Sequence, residues 1–203
     1  MNAAVLLPIV ALVSFAVGSI PFGVLVSRAF YGTDIRSAGS GNIGAANALR
    51  TLGRRGGIAV LVLDALKGFA PTLAASALGG PPAGAVAALL SVAGHCWSPF
   101  LGGRGGKGVA THFGAVFALW WPAGFAFALV WLAVVLASGF ASLGSMLASV
   151  AMAAVLWFGL GTVGVVYGVV SALLIIARHR ENLERLRRGT ENRLSLLKAN
   201  RSS

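Results

Sequence analysis

Apolar residues fill the chain in long stretches, separated by short clusters of glycine, proline and cationic residues. The stretches lack period-2 alternation, which predicts helices rather than strands of a closed barrel. The first runs from Ala3 to Ser27 without a side-chain charge, and a basic, glycine-rich segment follows at 28–56. A second span is expected over Gly57–Leu78, a tight turn at Gly79-Gly80-Pro81-Pro82, a third span over Gly84–Phe100 and a short loop at 101–108. From Gly108 to Ala177 there is no formally charged residue. If the basic clusters share one side of a bilayer, 109–177 must hold an even number of crossings. Two would be about 34 residues each, against a need of about 20, so four of about 17 fit better. Pro122, Ser138–Ser145 and Gly159-Leu160-Gly161 are the natural breaks. The expected fold is an all-α polytopic membrane bundle of seven helices, with five as the alternative if some segments are kinked or re-entrant.

Composition agrees with that pattern. Of 203 residues, 57 % are hydrophobic and 10 % charged, against roughly a quarter charged in a soluble domain. Mean hydropathy is +0.85. A soluble fold of this size could not hide so much apolar side chain, and disorder, a coiled coil or a disulfide scaffold is excluded on the same ground. The single Cys96 permits neither a disulfide framework nor a cysteine metal site, and it reads as a small buried apolar residue.

The net charge is +11, so its placement matters. Five of the 16 Lys and Arg lie between Arg28 and Arg55, Arg104 and Lys107 form a second cluster, and eight lie from Arg178 to Arg201; Lys67 alone falls elsewhere. The positive-inside rule puts all three clusters in the cytoplasm. The amino terminus is then outside, and 178–203 is a cytoplasmic tail. The first stretch has no basic leader of the kind a signal peptide needs, so it is expected to remain as a span. No nucleic-acid-binding stripe remains once topology has taken its share. There is no inverted repeat and no second domain, so 1–203 is expected to be one membrane-embedded unit.

Three segments carry more than topology needs. Ser37-Ala38-Gly39-Ser40-Gly41-Asn42-Ile43-Gly44 leads to Asn47 and Arg50, a supply of backbone N–H groups, hydroxyls and one cation suited to phosphate. Gly102-Gly103-Arg104-Gly105-Gly106-Lys107-Gly108 departs from the Walker pattern at Leu101 and Gly108, which excludes a P-loop ATPase; its glycines still let backbone approach an anion that Arg104 and Lys107 neutralise. Arg178–Arg188 reads as a helix supported by Glu181/Arg185 and Glu184/Arg188 pairs, with His179 and Asn182 on one face. Within the apolar stretches, Asp64 and Lys67 are spaced to pair and face the interior. Ser142 and Ser145 sit near a turn, where either donates to an anion or packs between helices. His112 reads as a core residue.

Ser40-Gly41-Asn42-Ile43-Gly44-Ala45-Ala46-Asn47 with Arg50, Asp64-x-x-Lys67-Gly68, Gly94-His95 through Gly105-Gly106-Lys107-Gly108-Val109-Ala110-Thr111, and Arg178-His179-x-x-Asn182 together resemble the PlsY family, as does Gly18-Ser19-Ile20-Pro21-Phe22-Gly23. The motifs occur in family order over most of the chain, with departures at Ala46, Gly103-Arg104 and Leu183. The resemblance implies a bacterial inner-membrane enzyme with its site toward the cytoplasm. It would transfer an acyl group from acyl phosphate to the sn-1 hydroxyl of glycerol 3-phosphate, giving lysophosphatidic acid and phosphate, the first acylation of phospholipid biosynthesis. It implies catalytic roles for Lys107, His179 and Asn182. Substrate binding falls to Ser40, Arg50, Lys107, Ser145, His179 and Asn182, with Asn42, Asn47 and Arg104 in support. No metal or cofactor is expected, and the protein is expected to be a monomer.

Such chemistry suits the residues. Acyl phosphate is already activated, so the hydroxyl attacks directly, without an acyl-enzyme, once both phosphates are held. Acyl-thioester acyltransferases use a His-x4-Asp pair, whereas His95, His112 and His179 are followed five positions on by Phe100, Phe117 and Glu184. The rival class is a small transporter of organic phosphate anions, which would need charge at mid-membrane that 109–177 lacks.

Overall fold

The structure, a computed structural model, describes residues 2–194. Residues 195–203, the end of the expected cytoplasmic tail with Lys198 and Arg201, lie outside the described residues. All regular structure among the described residues is helical: α1 (Ala3–Gly18), α2 (Phe22–Tyr31), α3 (Ala45–Thr51), α4 (Gly53–Cys96), α5 (Val109–Leu119), α6 (Trp121–Ser138), α7 (Ala141–Arg178) and α8 (Arg180–Arg187), with short 3₁₀ turns at Ile35–Ser37 and Pro99–Leu101. Four stretches are long and apolar enough to cross a bilayer. Large apolar side chains such as Leu12, Leu78, Leu129 and Phe158 point outward and are mostly exposed, as expected of a bundle solvated by lipid.

The two longest helices are folded back on themselves. In α4, Gly79 leaves helical geometry and Gly80 takes φ +70°, a region open to glycine. Pro81 and Pro82 then start the returning limb, where the missing N–H groups are not needed. The result brings Asp64 within 3.7 Å of His95, although 31 residues of straight helix would separate them by about 46 Å. Gly161, at φ +56°, does the same for α7, and a methyl on Gly168 would fall 2.5 Å from Ala153 Cα. The expected breaks at 79–82, near Pro122, at Ser138–Ser145 and at 159–161 all contain or adjoin non-helical backbone, at Gly79–Gly80, Trp120, Gly139–Phe140 and Gly161, although helix resumes at Ala141, within the third. The first stretch differs from expectation. It does not run unbroken to Ser27 but bends at Ser19–Pro21 and continues to Tyr31. Pro21 has no N–H to carry the ladder, and Ser19 turns its hydroxyl back onto Phe15 O (2.7 Å).

Small residues let the helices interlock. A methyl on Gly68 would lie 2.0 Å from Thr111 O, and one on Gly114 2.0 Å from Ala65 O, so α4 and α5 meet backbone to backbone. Gly18 and Gly94 bring α1 equally close to the second limb of α4. Without a hydrophobic drive in lipid, such close van der Waals contact is what holds helices together. Phe127, Met152, Leu156 and Tyr167 centre the main core between α5, α6 and α7. Helix α5 has 11 residues, about 16 Å long, roughly half the hydrocarbon thickness, so its amino end stops short inside the bundle beside the glycine-rich turn.

Candidate functional site

The first connection, 32–44, is braced from within. The Asp34 carboxylate pairs with Arg28 (2.8 Å) and Arg36 (2.6 Å), and the bonds from Arg36 and Arg28 hold it well below the usual carboxylate range. Asn47, on α3, pins the rest: its amide nitrogen donates to Ile35 O, Ala38 O and Asn42 O, and its oxygen accepts from Ser40 N–H (2.8 Å). Both N–H donors of Asn47 are thereby committed to backbone, and its oxygen keeps one lone pair beside the bond from Ser40. It shapes the loop that carries Ser40 and Asn42. Asn42 is likewise turned back, accepting from Gly44 N–H (2.9 Å).

The second connection, 98–108, is braced from elsewhere. Gly105 and Gly106 N–H donate to Cys96 O and His95 O at the end of α4. The Arg178 guanidinium, arriving from α7, donates to Gly106 O (3.1 Å) and Gly105 O (3.0 Å). Gly108 takes φ +82° and turns the chain into α5. Lys107 projects across and donates to Asn182 Oδ1. Burial pushes the Lys107 amine down to about 8, with nearby Arg185 adding to the effect.

The third segment closes the ring. His179 ends α7, and its Nδ1 bonds Ile175 O at 2.8 Å. A carbonyl only accepts, so Nδ1 carries the hydrogen and Nε2 keeps its lone pair. Burial pushes His179 down to about 4, so it is neutral at physiological pH. Asn182 donates to Glu191 Oε1 (2.6 Å), which also receives the Ser142 hydroxyl (2.8 Å), while Arg185 holds Glu191 Oε2 (2.7 Å). Burial alone would raise the Glu191 carboxyl, but the bonds from Asn182, Ser142 and Arg185 outweigh it and keep it below the usual range.

The three segments open onto one cavity of about 440 Å³. Ser40, Asn42, Asn47, Arg50, Lys107, Ser142, Ser145, His179 and Asn182 all line it. So do Asp64, His95, Arg185 and Glu191. Its apolar side is formed by Leu61, Phe113, Phe127, Ala128, Trp131 and Leu132. Ser145 is partly committed, donating to Ala141 O and accepting from Trp131 Nε1 (3.2 Å). Arg104 is the expected site residue that the fold puts elsewhere. It lines a separate cleft of about 660 Å³ with Arg36 and Asn42, because the glycine turn directs Lys107 inward and the stretch before it outward. Glu191 was missed by sequence reasoning. Its signal is that it is the one acidic residue after Glu184, placed in a turn amid cations. No cluster of three or more metal-ligating side chains occurs among the described residues.

A family model described as glycerol-3-phosphate acyltransferase matches residues 8–189. The chain belongs to that family. It is 43 % identical to a glycerol-3-phosphate acyltransferase of Bradyrhizobium sp. (strain BTAi1), over 95 % of this chain and 97 % of that one. It is 47 % identical to glycerol-3-phosphate acyltransferase 2 of Moorella thermoacetica, over 90 % and 94 %. Crystal structures of PlsY, an integral membrane glycerol 3-phosphate acyltransferase, superpose at TM-scores of 0.88 for the glycerol 3-phosphate form and 0.85 for the lysophosphatidic acid form. They are 38 % and 37 % identical, and each comparison covers 92 % of this chain and 94 % of the other. Membership in this PlsY family makes the chain a multi-pass membrane protein and bears out the resemblance read from its motifs.

Proposed function

We propose that the chain transfers a fatty acyl group from acyl phosphate to the sn-1 hydroxyl of glycerol 3-phosphate, releasing lysophosphatidic acid and phosphate as the first acylation of phospholipid biosynthesis. The carrying observation is one cavity lined on one side by cationic and hydrogen-bonding groups and on another by apolar side chains. Both reactants are phosphorylated and one carries a fatty chain, so they need these two surfaces side by side.

Arg50 and Lys107 neutralise the phosphates and the Ser40 hydroxyl donates beside them; Ser145 joins them by turning its one hydrogen away from Ala141 O, while Ser142 keeps Glu191 in place. Each charge-assisted bond supplies about 1.5–3 kcal/mol. Asn182 holds the Lys107 amine in place, and His179 Nε2 accepts from the attacking hydroxyl and orients it. The hydroxyl oxygen forms the new ester bond as the bond from carbonyl carbon to phosphate oxygen breaks. His179, pushed down to about 4, is too weak a base to keep the proton at neutral pH. The proton therefore passes to a phosphate oxygen, and orientation supplies the rest of the barrier reduction.

In this reading the whole chain, 1–203, is one domain crossing the bacterial inner membrane seven times. The folded limbs of α4 and α7 count twice and the half-length α5 once. The amino terminus is outside, and the cavity mouth, with the segments near 28–56, 101–108 and 178–203, faces the cytoplasm. The protein works as a monomer without metal or cofactor. Purified protein in detergent, given palmitoyl phosphate and glycerol 3-phosphate, is expected to release phosphate and lysophosphatidic acid in equal amounts. Anion flux into vesicles without chemistry would favour a transporter instead.

A further inference from the structure

Beside the phosphate-gripping side chains, the cavity wall holds two buried groups that the reaction above does not use. Asp64 (1 % exposed) comes from the first limb of α4 and His95 (3 % exposed) from the second. Asp64 Oδ1 lies 2.7 Å from Lys67 Nζ and 3.7 Å from His95 Nδ1. The Lys67 amine donates to Ile20 O (2.7 Å), at the elbow between α1 and α2. The far side of the imidazole meets the glycine turn: a methyl on Gly106 would fall 2.1 Å from His95 Nε2, and its three nearest atoms all belong to that ring.

We propose that Asp64, Lys67 and His95 are positioning residues: Lys67 anchors Asp64 to the first helix, Asp64 orients the imidazole, and the ring sets the height of Gly106 and so of Lys107 in the cavity. A pair serving only to neutralise charge inside the bundle would have no reason to reach the glycine turn. Here a hydrogen bond to Ile20 O, an ion pair at 2.7 Å and a 3.7 Å approach of carboxylate to imidazole lead from the elbow to the residue before Lys107. The carboxylate faces the Nδ1 edge of the ring across 3.7 Å, without a hydrogen bond, and the opposite edge lies against Gly106. The effect on substrate passes through Lys107 and not through His95 itself.

This inference rests on the proposed reaction for its turnover assay, so binding of glycerol 3-phosphate by calorimetry, which needs no acyl donor, is measured beside it. Gly106→Ala is expected to raise KM and Kd for glycerol 3-phosphate by about ten- to a hundredfold, the cost of a misplacement near 1 Å, while kcat at saturation falls less. Adding His95→Ala removes the obstructing ring and should bring the double variant back to the level of His95→Ala alone. Gly105→Ala is the control. Its methyl would meet backbone, His95 O at 2.0 Å and Cys96 C and O at 2.8 Å, so His95→Ala should not rescue it. Asp64→Asn is expected to raise KM about as much as His95→Ala; if it fails to fold for want of a counter-charge to Lys67, the glycine pair still decides. The inference is overturned if Gly106→Ala binds like wild type, or if His95→Ala rescues both glycine variants or neither. A wild type that binds glycerol 3-phosphate but yields no lysophosphatidic acid sinks the proposed reaction and leaves the binding series to judge the positioning. A wild type that does neither sinks both.

Discussion

The two glycine-bearing connections that meet at the cavity are built on opposite plans. The first is held by its own neighbours: Asp34 binds Arg28 and Arg36, and Asn47 ties down Ile35, Ala38, Ser40 and Asn42, all within 12 residues in sequence. The second is also held by nearby carbonyls at the end of α4, but its far side is gripped across the bundle by Arg178, more than 70 residues away. A locally braced loop stands or falls with one side chain. A remotely braced turn instead reports the arrangement of the whole bundle, and is placed correctly only when α4 and α7 are already packed. The more reactive cation, Lys107, sits on the second.

The comparison is broken most severely at Lys107. Lys107→Ala should lower kcat/KM by about 10²–10³, because removing one charged donor to a developing anion costs about 2.7–4 kcal/mol, while the unfolding midpoint stays near wild type. Wild-type turnover would remove the phosphate-gripping role. Asn47→Ala tests the first plan. One buried group, Ile35 O, and three part-buried ones lose their partner, at about 1–3 kcal/mol for the buried one, so stability should fall by about 2–4 kcal/mol in denaturant unfolding. Arg178→Lys tests the second. It keeps the charge but not the two-pronged fit to Gly105 and Gly106. About a tenfold loss of kcat/KM with little change in unfolding is expected, whereas a large stability loss with normal kinetics would contradict the contrast.

The mildest probe is pH. The Lys107 amine, pushed down to about 8, is charged below that pH and neutral above it, so kcat/KM for glycerol 3-phosphate should fall tenfold for each unit above about 8. Lys107→Arg, always protonated, should abolish that limb. His179, pushed down to about 4, should add no inflection between pH 5 and 8.

Much of this was legible in the chain. Uncharged apolar stretches separated by cationic glycine clusters predict membrane helices, and the folded tips at Gly79–Gly80 and Gly161 coincide with the expected breaks. The bend at Ser19–Pro21 was overlooked because its flanks are as hydrophobic as the rest of the span, although Pro21 itself marks it. Arg50, Lys107, His179 and Asn182 were picked out by the glycine-rich and cationic segments that carry them, and all four line the cavity. For Asn47 the residue type suggests a ligand contact, and only the fold shows its N–H donors committed to the backbone of its own loop.

What the sequence alone determined is which segments enter lipid and which chemical groups gather between them, since hydropathy and charge are properties of residues read one at a time and in runs. The tertiary structure decided which groups share the cavity. It sent Arg104 to a neighbouring cleft, brought Glu191 under Asn182 and Ser142, and set the ring of His95 against Gly106. Those outcomes depend on contacts between residues from 9 positions apart, as in Asn182–Glu191, to 49 apart, as in Ser142–Glu191, whose distances are fixed only when the chain is folded.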